Sequence, residues 1–286
     1  MRNNEDRLGA KSIGDDAPPQ TKGPNSGASF SFSTPTEFVE LPSKGRYYPE
    51  GHPLCGKGEI EIRHMTAKDE DILTSETLIK KGIAVERLLQ SVIVDKSIDS
   101  KSMLVGDKNA LVVATRITGY GAPYHTQLLC PSCMKSVDQT FDLEEQTIYY
   151  ADDDELAENG LESTSSGTFI MTAPLSKARV EVKLMTGYDE EYLTKQAASK
   201  KKNKLLETTL TDQLRRMIVS VNGDDSNGMI SSFIDHLPAR DSRYLRTSYQ
   251  KVVPDIKLAQ EFSCASCGHT QELEVPFTVD FFWPRQ

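Results

Sequence analysis

The chain has little of what most enzymes and secreted proteins display. It has five cysteines and one tryptophan in 286 residues. Its longest purely apolar run is the short stretch Ala110 to Ala114. A membrane-spanning helix needs about 20 apolar residues, so none is expected. The opening MRNNEDRLGAKSIGDDAPPQ has no apolar core, so no secretory leader is expected. There is no G-x-S-x-G, no H-E-x-x-H, no Gly-rich phosphate loop and no G-x-G-x-x-G. The five histidines form no i, i+4 pair. The GYG at 119–121 is too short to mean more than a turn. The formal charge is −9, which argues against an overall electrostatic grip on nucleic acid.

What is present is modular. At about 150 residues per domain the length suggests two units. A hydrophobic fraction of 37% and mean hydropathy of −0.45 suit a globular body with polar tails or linkers. Residues 1–34 read as a disordered tail rich in Ser, Pro, Gly and Asn. Residues 35–57 read as an extended lead-in arm, where Pro and Gly forbid long regular elements. GEIEIRHM alternates like a strand, and Thr66 with Asp69 resembles a capping box. Helices follow around Val85–Ile93 and Asp107–Thr118, then strands at 124–130 and 135–143. The acidic stretch 150–167 reads as a linker. Strands at 168–174 and 177–185 come next, with helical text from Thr186. Leu206, Leu210, Leu214, Met217, Ile218 and Val221 share one helical face. Two further helices and strands at 257–264 and 269–277 complete the chain.

The second half echoes the first. IEIRHMTAKDEDIL lies over VEVKLMTGYDEEYL, matching Met65/Met185, Thr66/Thr186, Asp69/Asp189 and Leu73/Leu193. Asp107/Asp241, Leu111/Leu245, Cys130/Cys264 and Cys133/Cys267 match further on. Chance similarity of two amphipathic segments is the competing reading. Against it, the cysteine pairs arrive in register with the last helix. The expected fold is α+β: repeat 1 over 58–149 and repeat 2 over 168–286, related strand-helix-helix-strand units. Each contributes a CxxC hairpin to one shared zinc-ribbon-like site.

One CxxC supplies two thiolates, and tetrahedral zinc takes four. Cys130, Cys133, Cys264 and Cys267 are therefore the expected ligands of one structural zinc tying the halves together. Disulfides or unliganded thiols are the alternatives. Four thiolates close the coordination shell and leave no position for catalysis. His269 could replace a ligand, or be an ordinary strand residue. Cys55 reads as a bland small residue. The acids at 152–155 read as solvated. The lysines at 200, 201, 202 and 204 read as a solvated helix end, or as a contact for nucleic acid or an acidic partner.

VELPSKGRYYPEGHPL, GEIEIRHMTAKDEDILTS, GDKNALVVATRITGYG, LLCPSC and a terminal FFWPRQ together resemble the baseplate family of T-even-type tailed bacteriophages. The resemblance spans roughly 36–286. Members are baseplate or baseplate hub proteins, and some relatives are hub assembly factors. It implies a non-enzymatic structural component of the tail baseplate hub, made in host bacterial cytoplasm and carried in the virion. Its partners would be other tail and baseplate proteins, with no nucleic acid, membrane or small-molecule substrate. An assembly chaperone absent from the virion is the alternative, and a zinc-ribbon nucleic-acid module a distant third. Tyr47 and Tyr48 are candidate partner contacts, or pack on the protein's own body. Deleting residues 1–34 should leave the melting temperature nearly unchanged, because their composition cannot offset the entropy of ordering. A large drop in a thermal melt would refute this.

Overall fold

The computed structural model describes residues 33–150, 152–276 and 281–282. The expected disordered tail, apart from Ser33 and Thr34, lies outside them. The described residues from Thr34 onward cluster as one contact-linked unit. It is mixed α+β, with helices packed among several small antiparallel sheets. Among the described residues no helix is long and apolar enough to cross a membrane.

Strand Thr36–Glu40 pairs with Glu59–Arg63, and Ile62 bridges to Ile93. In the second half Thr168–Thr172 pairs with Arg179–Lys183, which pairs with Ile218–Val221. Leu161–Ser163 adds a strand on the outer edge of Thr168–Thr172. Each half then opens a helix behind the same cap. Thr66 and Asp69 form a capping box before Ala67–Thr74, and Thr186 and Asp189 form one before Gly187–Lys202. Both aspartates are buried. Arg63 grips Asp69 with two bonds of 2.7 and 2.9 Å, and Lys183 reaches Asp189 at 3.0 and 3.1 Å.

Helix Val105–Tyr120 runs through the middle and buries Asp107, Leu111, Val113 and Ala114. Gly106 is required where the helix meets strand Asp255–Lys257: a Cβ there would lie 1.9 Å from the Pro254 carbonyl oxygen. Asp107 accepts the Ser43 N–H at 2.8 Å and the Tyr48 hydroxyl at 2.7 Å. Its counterpart Asp241, in helix Ala239–Val252, accepts the N–H groups of Leu175 and Ser176 at 2.8 Å. The buried carboxylates thus fasten the turns LPSKG and APLSK to their helices.

Three expectations need revision. The 35–57 segment is a strand followed by turns, with Leu41, Tyr48 and Leu54 buried in the body and Phe38 left exposed. Most of the 150–167 stretch carries structure. Asp152 caps helix Asp153–Glu158, and Leu156 and Leu161 are buried. The stripe from Leu206 to Val221 is not one core helix. Thr209–Met217 is helical, but Ile218–Val221, with β-branched Ile218, Val219 and Val221, pairs as a strand, and Leu206 and Leu210 are exposed.

The halves also do more than meet at the cysteines. One apolar cluster runs from Val39 to Phe282 with members from both. Across the seam Val105 N–H donates to the Met185 carbonyl and Gly187 N–H to the Met103 carbonyl, both at 3.0 Å. Lys101 pairs with Glu191 at 3.1 Å, and Lys108 pairs with Glu190. The halves are therefore joined by packing, hydrogen bonds and ion pairs as well as at the cysteines.

Burial pushes the Asp69 carboxyl up, but Arg63, Ser91 and Thr66 outweigh it and hold it well below the usual carboxylate range. Asp189 is lowered too, its burial offset by Thr186, Lys183 and Arg216. Asp107 shifts the other way, burial outweighing Ser43 and Tyr48. The two lowered groups contribute stability that is present above the unfolded value of about 3.9 and lost as pH falls below it. The urea midpoint should therefore drop on acidification through that region. Asp69→Asn should be less stable at neutral pH and show a shallower drop; an unchanged slope would refute the assignment.

Candidate metal centre

Two hairpins carry the cysteines. The first joins Pro123–Leu129 to Ser136–Asp142, and the second joins Ala259–Ser263 to Thr270–Glu274. Their tips are built alike. The N–H of Cys130 donates to the Lys135 carbonyl, and that of Cys264 to the His269 carbonyl, each at 2.9 Å. In return Met134 N–H reaches the Cys130 carbonyl at 2.9 Å, and Gly268 N–H reaches the Cys264 carbonyl at 2.8 Å. The residue after each second cysteine is left-handed, with φ 57° at Met134 and 71° at Gly268. This tight return is what lets a CxxC present both sulfurs to one point. The hairpins dock side by side, the Asp142 N–H donating to Gln260 Oε1 at 3.0 Å.

The four sulfurs converge. Cys130 Sγ lies 3.7 Å from Cys267 Sγ, and Cys133 Sγ lies 3.8 Å from Cys264 Sγ. All four lie within 4.8 Å of one another. Zn–S bonds near 2.3 Å place tetrahedral ligands about 3.8 Å apart, so the two cross-pair distances fit. A disulfide needs about 2.05 Å, and all the cysteines are free. Cys130 and Cys264 are buried on Phe262, with Leu128, Val137 and Leu273 around them. Cys133 is half-buried and Cys267 exposed. This small cluster is separate from the main core.

The thiols are electrostatically unequal. The Cys133 N–H, working against burial and aided by the Ser132 N–H, draws the Cys130 thiol down to about 6. At Cys267 the His269 N–H favours the thiolate, but burial and the neighbouring thiols outweigh it and push the value up to about 11. Four thiolates so close repel one another, and a divalent cation at their centre reverses that repulsion.

The other sequence candidates lie elsewhere. His269 Nε2 is engaged with Gln271 Oε1 at 3.0 Å, as suits a strand residue. Cys55 is exposed, away from the cluster, with its N–H on the His52 carbonyl. Tyr48 is buried, stacked 4.4 Å from the His52 ring and bonded to Asp107. The Tyr47 ring packs 5.2 Å from that of Phe169. Both tyrosines pack on the protein's own body. Of the acids at 152–155, Asp152 caps a helix and Asp153 meets Arg46 at 3.3 Å. Sequence reading missed Asp107 and Asp241 as organising groups. Their match in the two halves was the available signal.

A four-thiol hairpin pair on an α+β body defines a protein whose candidate site is a metal centre. Residues 33–283 match the family described as T4 bacteriophage base plate protein, and the chain belongs to that family. No curated protein and no solved structure matches it.

The left-handed positions give a test. A Cβ on Gly268 meets nothing within 4 Å, so Gly268→Ala should carry only the backbone cost, about 1 kcal/mol. Met134→Gly relieves the same cost and should be neutral or stabilising. Urea unfolding monitored at the hairpins checks both; equal losses at the two positions would contradict the left-handed geometry.

Proposed function

We propose that the protein is a non-enzymatic structural component of the phage tail baseplate hub, required for tail assembly. The family match over 33–283 carries this reading. The body would be a duplicated strand-helix-helix-strand unit, 58–149 and 168–286. Its support is the pairwise agreement of the two caps, the two buried helix-opening aspartates and the two cysteine tips. Cys130, Cys133, Cys264 and Cys267 would hold one structural zinc. The sulfur spacing and the completed set of four ligands support a closed, non-catalytic site.

The partners would be other tail and baseplate proteins. Nucleic acid fits poorly, since Lys135 is the only basic residue near the first cysteine pair and none is near the second. The protein would be made in host bacterial cytoplasm and carried in the virion tail. The second reading, a chaperone that leaves before maturation, rests on the helical surface that follows MTAKDEDIL. Mass spectrometry of purified virions separates the two. Stoichiometric presence supports the structural role, and absence from virions with presence on assembly intermediates supports the chaperone.

Zinc stoichiometry by atomic absorption tests the metal. One zinc per wild-type chain, lost in serine variants of each of the four cysteines and kept in Cys55→Ser, is expected. Because the main core is shared between the halves, those variants should remain folded and become protease-sensitive at the hairpin tips, not at 150–167. Wild-type protein without zinc would refute the assignment.

A further inference from the structure

The two-stranded sheet at the start of the body is left open. Thr36–Glu40 pairs with Glu59–Arg63 and with no second strand among the described residues. The Leu41 N–H bonds the Gly58 carbonyl, and the His64 N–H bonds the Pro35 carbonyl. Between these ends the register is one to one. Alternation therefore turns the N–H and C=O groups of Thr36, Phe38 and Glu40 away from the partner strand. Along that edge lies a groove of about 370 Å³. Four successive residues, Glu37 to Glu40, line it and none of Glu59–Arg63 does, which places it on the free side of the strand. Its apolar floor comes from Ala110, Ala114 and Ile117 of helix Val105–Tyr120. Gln146 lines it as well, and its Oε1 is buried with no hydrogen-bond partner among the described residues. Phe38 is 63% exposed there. The charge is one-sided: Glu37, Glu40 and Glu144 are the charged residues of the lining. Glu37 lies 3.9 Å from His64, while Glu40 and Glu144 make no ion pair among the described residues. Across the ladder Glu40 stands opposite Glu59 and Phe38 opposite Glu61, so the partner strand adds to the negative charge.

We propose that this edge and groove receive, as an added strand, an extended segment of another baseplate protein in which apolar and basic residues alternate. The inference rests on the baseplate reading and adds a partner chemistry to it. In strand addition main-chain bonds supply affinity and alternate side chains supply specificity. The outward N–H and C=O groups of Phe38 and Glu40 take the main-chain bonds. One set of alternate side chains meets the apolar helix floor, and N–H groups of the added segment are donors for Gln146. The glutamates select basic residues, which is the electrostatic complement that steers encounter and rejects wrong partners. Charge on an edge strand also blocks unwanted pairing, which accounts for Glu37 and Glu40. It does not account for an exposed Phe38 or for the unmet acceptor on Gln146. Two other occupants fit less well. A second copy pairing the same edge about a twofold would set the glutamates against themselves, since Thr36–Glu40 carries no basic residue. Nucleic acid is repelled by the acidic lining.

The test places a photo-crosslinking amino acid at position 144 of the full chain, expressed during infection, with mass spectrometry of the adducts. The expected adduct joins position 144 to a segment of alternating apolar and basic residues in a different tail protein. Phe38→Pro removes an N–H that the ladder with Glu59–Arg63 does not use. It should keep the wild-type melting temperature and cut the adduct by about tenfold or more. Glu37→Lys with Glu40→Lys should also stay folded and weaken the same adduct. Adducts only to a second copy, to residues 1–32 or 283–286, to an acidic segment or to nucleic acid would overturn the proposal, as would no adduct. An undiminished adduct in either variant would overturn it too. Loss of folding in Phe38→Pro would mean that its N–H is bonded within the body, and the free edge would be wrong. Immunoblotting of tails and assembly intermediates keeps the two readings apart. If the wild-type chain is present there and the crosslink fails, docking alone is wrong. If the chain is absent from both, the baseplate reading falls with it.

Discussion

The fold hangs on carboxylates buried at helix beginnings. Among the described residues the buried acids are Asp69, Asp107, Asp189 and Asp241. Each is the third residue of its helix. That position sits within the positive end of the helix dipole and beside unsatisfied N–H groups, so a charge can be buried there at reduced cost. Each carboxylate then accepts bonds from a second segment: Arg63 and Ser91, the LPSKG turn, Lys183 and Arg216, or the APLSK turn. One device, used four times, sets where strands end, how turns sit on helices and how each half closes.

These devices differ in how far the sequence reveals them. The capping boxes are local, and Thr66-x-x-Asp69 announces itself. The Asp107 and Asp241 attachments join residues more than sixty positions apart, and no local pattern marks a carboxylate whose partners are backbone N–H groups of a distant turn. The likeness of the halves is legible from Ile60 because identities persist there. It is faint over Thr36–Glu40 and Thr168–Thr172, where TEFVE and TFIMT keep the strand but few of the residues. The stripe from Leu206 misled because helical periodicity does not say what covers it. Ile218–Val221 misled because a short apolar run suits helix or strand equally until Val182 pairs with it.

The candidate centre was more legible than the body. Two CxxC pairs in register with the preceding helix are enough to place four sulfurs at one point. The backbone return that makes this possible was half visible. Gly268 signals a left-handed residue and Met134 hides one. The separate apolar patch under the thiols was not visible, because Phe262 and Leu273 look like ordinary alternating strand residues.

The two short sulfur separations, 3.7 and 3.8 Å, exchange places when the halves are exchanged. The two tips thus make matching cross-pair contacts, while their outer thiols differ in exposure, Cys133 half-buried and Cys267 exposed. The halves differ more in the helix behind each cap, Ala67–Thr74 against the longer Gly187–Lys202. Whatever the two halves share at the cysteine tips, they part company in the length of this helix.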